Sequence, residues 1–272
     1  STVEMFLETE VQGITAIRFE VLSHPNLPLG GPGRSIFGTG ALTEFKVEAG
    51  PVDAPETGKV YPDGRKKKEA SPVKLAGATA DISLPKTPLK RVFYDKKKPD
   101  RVTGPINFSI DDDENTAWGI DAGPGLRNQS RKAVFTFEKP VSYPQGTILT
   151  FFIAHKHGGW TSNQDSNNNL GRIRLSITTE PNAVADPLPK KVREIISIPS
   201  KQRTPTQNEA VFSYWRTVVL EWKTANSEIA KLWQSHPEGT TQLVLQRREE
   251  QRETNILSRG DFLKPVKVVS PG

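Results

Sequence analysis

Apolar and polar positions alternate with a period of two through much of the first 180 residues. Ile17, Phe19 and Val21 fall on one side of an extended chain, and Arg18 and Glu20 fall on the other. Phe45 and Val47 alternate in the same way with Glu44, Lys46 and Glu48. Ile173, Leu175 and Ile177 do so with Arg172, Arg174, Ser176 and Thr178. Successive side chains of a strand point to opposite faces, so each segment reads as a strand with one buried and one wet face. Residues 3–7, 73–80, 107–110 and 133–137 are further candidates, and the unbroken apolar run 148–154 predicts a central strand covered on both sides. About eight strands with turn-rich connections predict a mainly β chain, an antiparallel β-sandwich of jelly-roll type, and exclude alternating β-α units. The connections at 23–40 and 50–71 are rich in Pro and Gly. Proline has no N–H to give a ladder, so both read as loops, and loops of that length usually carry a task.

Beyond Pro181 the period becomes that of a helix. Leu188, Val192, Ile195 and Ile196 form a stripe behind Asp186-Pro187, which reads as a cap followed by Pro at the first helical position. Thr204-Pro205-Thr206-Gln207 fits a capping box, after which Val211, Trp215, Val218 and Trp222 share a face. Ile229, Leu232 and Trp233 suggest a third short helix, and a strand is expected at 243–245 before a basic, irregular end. The chain thus divides into a β-sandwich module, 1–180, and a short helical extension, 181–272, that reads as the start of a following domain. Three small amphipathic helices have to lie on the sandwich or on a partner.

Composition narrows the classes. No apolar stretch approaches the roughly 18 residues of a membrane span. The chain has no Cys, which excludes a disulfide scaffold, a Cys-ligated metal and covalent c-type haem within it. With one Met, and Ser at the first position, it reads as a segment of a longer protein. The net charge of +6 invites a nucleic-acid partner. Much of that charge sits in the runs 66–68 and 96–98, which read as solvated loops, and no recognition helix, ribonucleoprotein motif or Cys/His finger accompanies them. Nucleic acid is therefore not the expected partner.

No phosphate loop, dinucleotide fingerprint, zinc-protease helix or nucleophile elbow is present. Gly30, Gly31 and Gly33 before Arg34 read as a surface loop needing positive φ rather than an anion nest. His155 and His157, two apart at a strand end, share a face and suit either metal ligation or surface hydrogen bonding. Asp111, Asp112, Asp113 and Asn115 cluster hard oxygens, which reads either as an Asp-rich turn with no ion or as a loop braced by a structural calcium, though the spacing is not that of an EF-hand. Trp118 reads as a core plug. Trp160 follows Gly158-Gly159 and precedes Asn163, Gln164 and Asp165, and reads either as a second core plug or as a flat apolar ring beside hydroxyl-binding amides.

Several strings also carry a family resemblance. Residues 14–22 (ITAIRFEVL) lead into 24–28 (HPNLP), then 31–34 (GPGR) and 42–45 (LTEF). They are followed by 72–76 (PVKLA), 118–120 (WGI), 171–176 (GRIRLS) and 254–263 (TNILSRGDFL). The succession resembles large secreted planctomycete-type proteins with a cytochrome-c-like domain and two conserved domains of unknown function. The matching region is the sandwich between those two domains plus the start of the second. The resemblance implies a bacterial protein exported to the periplasm or cell surface, with no haem in this segment. Residues 111–118 are also similar to the acidic-loop-to-Trp element of galactose-binding-like, discoidin-type sandwiches. The function expected is a non-catalytic carbohydrate-binding module, with Trp160 as platform and His155, His157, Asn163 and Gln164 as its hydrogen-bonding neighbours. The alternatives are a scaffold docking the flanking domains of the parent protein, or part of an enzyme completed elsewhere.

Overall fold

The computed structural model describes residues 2–61, 64–89, 101–123, 126–158, 167–237, 254–261 and 264–269. Two four-stranded antiparallel sheets face each other. The front sheet runs in the order β1 (Thr2–Thr9), β13 (Thr147–Ala154), β4 (Glu44–Pro51), β7 (Ser71–Pro72). The back sheet runs β14 (Arg172–Thr178), β2 (Ile14–Leu22), β12 (Arg131–Val141), β8 (Leu75–Ala80). Their inner faces meet in an aromatic cluster. Phe45 lies 4.3 Å from Phe135 and 5.5 Å from Phe19 between ring centroids, and 6.2 Å from Phe151. Such contacts add about 0.5–1.5 kcal/mol each to the burial of the rings themselves. The alternation in the sequence sets this arrangement, because Ile17, Phe19 and Val21 point inward while Arg18 and Glu20 face outward and Glu20 pairs with Arg174.

A third small sheet closes one end of the core. Its order is β3 (Ala41–Leu42), β11 (Thr116–Gly119), β10 (Val102–Gly104), β9 (Thr87–Pro88), and β10 and β11 run parallel. Trp118 on β11 is fully buried there and donates its indole N–H to the Ile82 carbonyl at 3.2 Å. Its expected place in the core is where it sits.

The structure corrects four local expectations. Residues 107–110 are not a strand: Ile106–Ser109 forms a 3-10 turn behind Pro105, held by the Phe108 N–H to the Pro105 carbonyl. The Lys66–Lys68 run is not a solvated loop but β6, paired antiparallel with β5 (Glu56–Val60). Lys66 pairs with Glu56, and Lys67 with Glu4. The first helix, α1 (Lys190–Ile196), starts beyond Asp186-Pro187, with Pro189 at the N-cap and no side-chain cap. The terminal stretch holds an antiparallel hairpin, β15 (Thr254–Leu257) with β16 (Pro265–Val269). The strand expected at 243–245 lies outside the described residues.

The helices α2 (Pro205–Val218) and α3 (Lys223–Ser235) follow α1. The capping box forms as expected, with the Thr204 hydroxyl accepting from the Gln207 N–H and the Gln207 side chain accepting from the Thr204 N–H. Ala183 and Ala185 anchor the segment on the back sheet's outer face against Ala16 and Val134. The compact unit containing the sandwich runs through to His236, and Pro237–Gly272 forms a second unit.

Candidate functional site

Of the five residues expected at the rim, two are described. Trp160, Asn163 and Gln164 lie outside the described residues. His155 and His157 lie inside the protein, 6% and 0% exposed. At the end of β13 the chain dives under the end sheet, and both rings follow it inward. The His157 Nε2 sits 3.1 Å from the Val102 carbonyl and 3.2 Å from that of Asn115, so Nε2 carries the proton. The Nδ1 then accepts from the Thr43 hydroxyl at 3.1 Å, while Thr43 accepts from the Lys156 N–H at 2.9 Å. His157 pins the start of β10 to the turn before β11, and both its ring nitrogens are engaged. Burial holds its pKa below the usual imidazole value. His155 is pushed down to about 4, first by burial and further by the Arg34 charge. The surface role expected for this pair is corrected on that ground.

The acidic loop is a self-satisfied turn. Asp111 accepts from the Asp113 N–H, and the Thr116 hydroxyl donates to the same carboxylate. Asp113 accepts from both the N–H and the side-chain amide of Asn115, which holds its pKa below the usual range. Asp112, at φ 60, faces Lys46, and Glu114 pairs with Lys156 at 3.1 Å. Among the described residues, no group of three His, Cys, Asp or Glu side chains converges on a possible metal position. The carboxylates of Asp111 and Asp113 accept hydrogen bonds within the turn that leads into β11, and the Asn115 side-chain amide is one of the donors.

Glu44 is the ionisable group here that sequence reading missed. Its alternation placed it on the wet face of β4, yet it is 7% exposed and one carboxylate oxygen has no hydrogen-bond partner. Burial pushes its pKa up to about 7, partly offset by the Lys46 charge.

A cleft lies on the other side of the molecule's front sheet. The β5–β6 hairpin folds back over that sheet's outer face. The Tyr61 hydroxyl meets the Thr150 hydroxyl at 3.1 Å, and the Tyr61 ring stacks on Phe6 at 4.2 Å. Under the hairpin is a cleft of about 720 Å³, with Thr150 and Phe152 from β13, Glu48 from β4, and Thr57, Lys59 and Tyr61 from the hairpin. That volume is in the usual range for small-ligand sites, roughly 300–1,000 Å³. Lys67 and Lys68 are engaged, the first by Glu4 and the second by the Val52 carbonyl. Glu48 and Lys59 make no ion pair among the described residues and stay available. The floor is aromatic, and the walls offer hydroxyls and both signs of charge.

Two signals in the sequence point to this cleft. One is the length of the 50–71 connection. The other is the aromatic Phe152 in the outward phase of β13, where a fully solvated face would carry polar residues.

No family model, no curated protein and no solved structure matches this chain.

Proposed function

We propose that this chain is a non-catalytic carbohydrate-binding β-sandwich module of a larger exported bacterial protein, holding glycan in the cleft between the front sheet and the β5–β6 hairpin. The observation that carries the reading is the cleft's composition: Phe152 as an apolar plate, ringed by Thr57, Thr150, Glu48 and Lys59. Sugar rings present C–H faces to aromatics and hydroxyls to just such mixed donors and acceptors. The sequence expectation had the plate at Trp160, and in this proposal Phe152 takes that role. The exported location rests on the family resemblance alone. Neither His155 nor His157 is among the residues lining the cleft.

A glycan array probed with the full chain tests the reading. Binding to at least one glycan is expected, weakened about tenfold or more by Phe152→Ala and unchanged by Trp160→Ala. Loss with Trp160→Ala alone would return the site to the rim loop, and an empty array would remove the glycan reading.

A second reading has its own observation. Helices α2 and α3 and the turn between them leave Trp215 and Trp233 close to half exposed, with Leu220 and Leu232 more so. Large apolar side chains left in water along one segment mark a candidate contact surface. This favours a docking role toward a neighbouring domain of the parent protein, and it is compatible with glycan binding at the opposite sheet.

A further inference from the structure

We infer that the cleft takes a neutral polysaccharide along the interior of its chain, several sugar units at once, rather than a single terminal sugar; this rests on the glycan reading of the same cleft. A second hollow of about 470 Å³ adjoins the first and shares Ala49, Ser71 and Tyr143 with it. Meeting at these three residues, the two would make one trough. It runs from beneath the hairpin, past the edge strand β7, to the irregular end of β12, where Lys74, Glu138, Lys139 and Pro140 make its walls. Each hollow alone has the size of a small-ligand site, so an occupant of both is longer than one or two sugar rings.

The backbone explains why the trough stays open. Strand β7 pairs with β4 only through Ser71 and Pro72, and the chain then departs for β8 in the other sheet. Pro72 cannot donate a ladder hydrogen bond, and among the described residues no further strand pairs with β7. Strand β12 shifts register beyond Thr136 against both its neighbours. An irregularity of that kind bends a strand out of its ladder, and here it carries the Glu138–Pro140 wall outward. An unclosed trough suits a ligand that continues past both ends.

Charge selects among polymers. In the first hollow Lys59, Lys67 and Lys68 are matched by Glu4, Glu48 and Glu69, and in the second Lys74 and Lys139 face Glu138. Capture of a phosphate or sulfate chain depends on a net positive field, which this near balance does not supply.

Affinity electrophoresis of the full chain, in gels cast with glucomannan, xylan, galactan or the sulfated carrageenan, tests the inference. Calorimetry follows with di- to hexasaccharides of whichever polymer retains it. Retention is expected in at least one neutral gel and not in carrageenan, with affinity rising about tenfold or more from disaccharide to hexasaccharide. The exposed pair Glu138→Ala with Lys139→Ala should abolish that rise and leave disaccharide binding intact. Equal affinity for both lengths, or no effect of the double substitution, would overturn the polymer inference while the glycan reading stands. Retention in carrageenan alone would overturn neutrality. Retention in no gel would remove the glycan reading itself.

Discussion

Glu44, His155 and His157 give the fold opposing responses to pH. An acid whose pKa is raised on folding stabilises the native state while protonated. Glu44's contribution is therefore complete below the ordinary carboxyl value of 4.5 and is lost as pH rises to about 7. The histidines are bases with lowered pKa values, so their contribution is complete above about 6.5 and is lost as pH falls, toward about 4 for His155. Glu44→Gln removes the first response alone. In urea melts the variant should gain roughly 1–3 kcal/mol over wild type at pH 8 and match it near pH 4. Equal stability of the two proteins at pH 8 would mean that the carboxyl ionises there without cost. Residue type alone did not reveal these three environments. Glu44 has the alternation of a wet-face residue, and the histidines share a strand face on paper, but the chain turns inward directly after β13. Burial at a strand end depends on what packs over it, which period-two reasoning does not contain.

At the scale of elements, strands with a clean two-residue period and the Thr204–Gln207 cap were legible, because those signals are local. The hairpin inside 50–71 was not, since Lys66–Lys68 becomes a strand only by pairing with Glu56 and by meeting Glu4 on β1. The glycines of the 28–40 loop show the same division. Only Gly30 of the three expected positions has positive φ, at 64°, and open space surrounds it. Gly33 is required for a different reason: a Cβ there would fall 1.9 Å from the Thr39 carbonyl oxygen, which is backbone and cannot swing away. Gly30→Ala should thus cost about 1 kcal/mol, the usual penalty for a side chain in the left-handed region. Gly33→Ala should cost more than about 3 kcal/mol, or prevent folding, because the 32–41 segment must separate from its own return. Thermal melts of the two variants check the order, and equal losses would contradict the close approach.

For the whole molecule, the division of apolar surface between sandwich and helices is the main functional clue besides the trough. The sandwich buries the core aromatics Phe19, Phe45, Trp118, Phe135 and Phe151 almost completely, whereas Leu220 and Leu232 on the helical segment remain 78% and 70% exposed. The helical stripe was readable in the sequence, but what covers it was not, because amphipathicity shows that a face needs burial without naming the partner. If these leucines serve docking rather than folding, replacing both with Lys should change the free energy of unfolding by less than about 0.5 kcal/mol each. Leucines buried in the fold would instead cost about 2–5 kcal/mol each when lost. The same pair should lower the binding of a hydrophobic dye and any concentration-dependent association seen by light scattering, since both report exposed apolar area. Glycan retention should be untouched, because neither leucine lines the trough. A large drop in melting temperature with unchanged dye binding would place the leucines in the folded core and end the docking reading. That outcome would leave the trough as the functional surface.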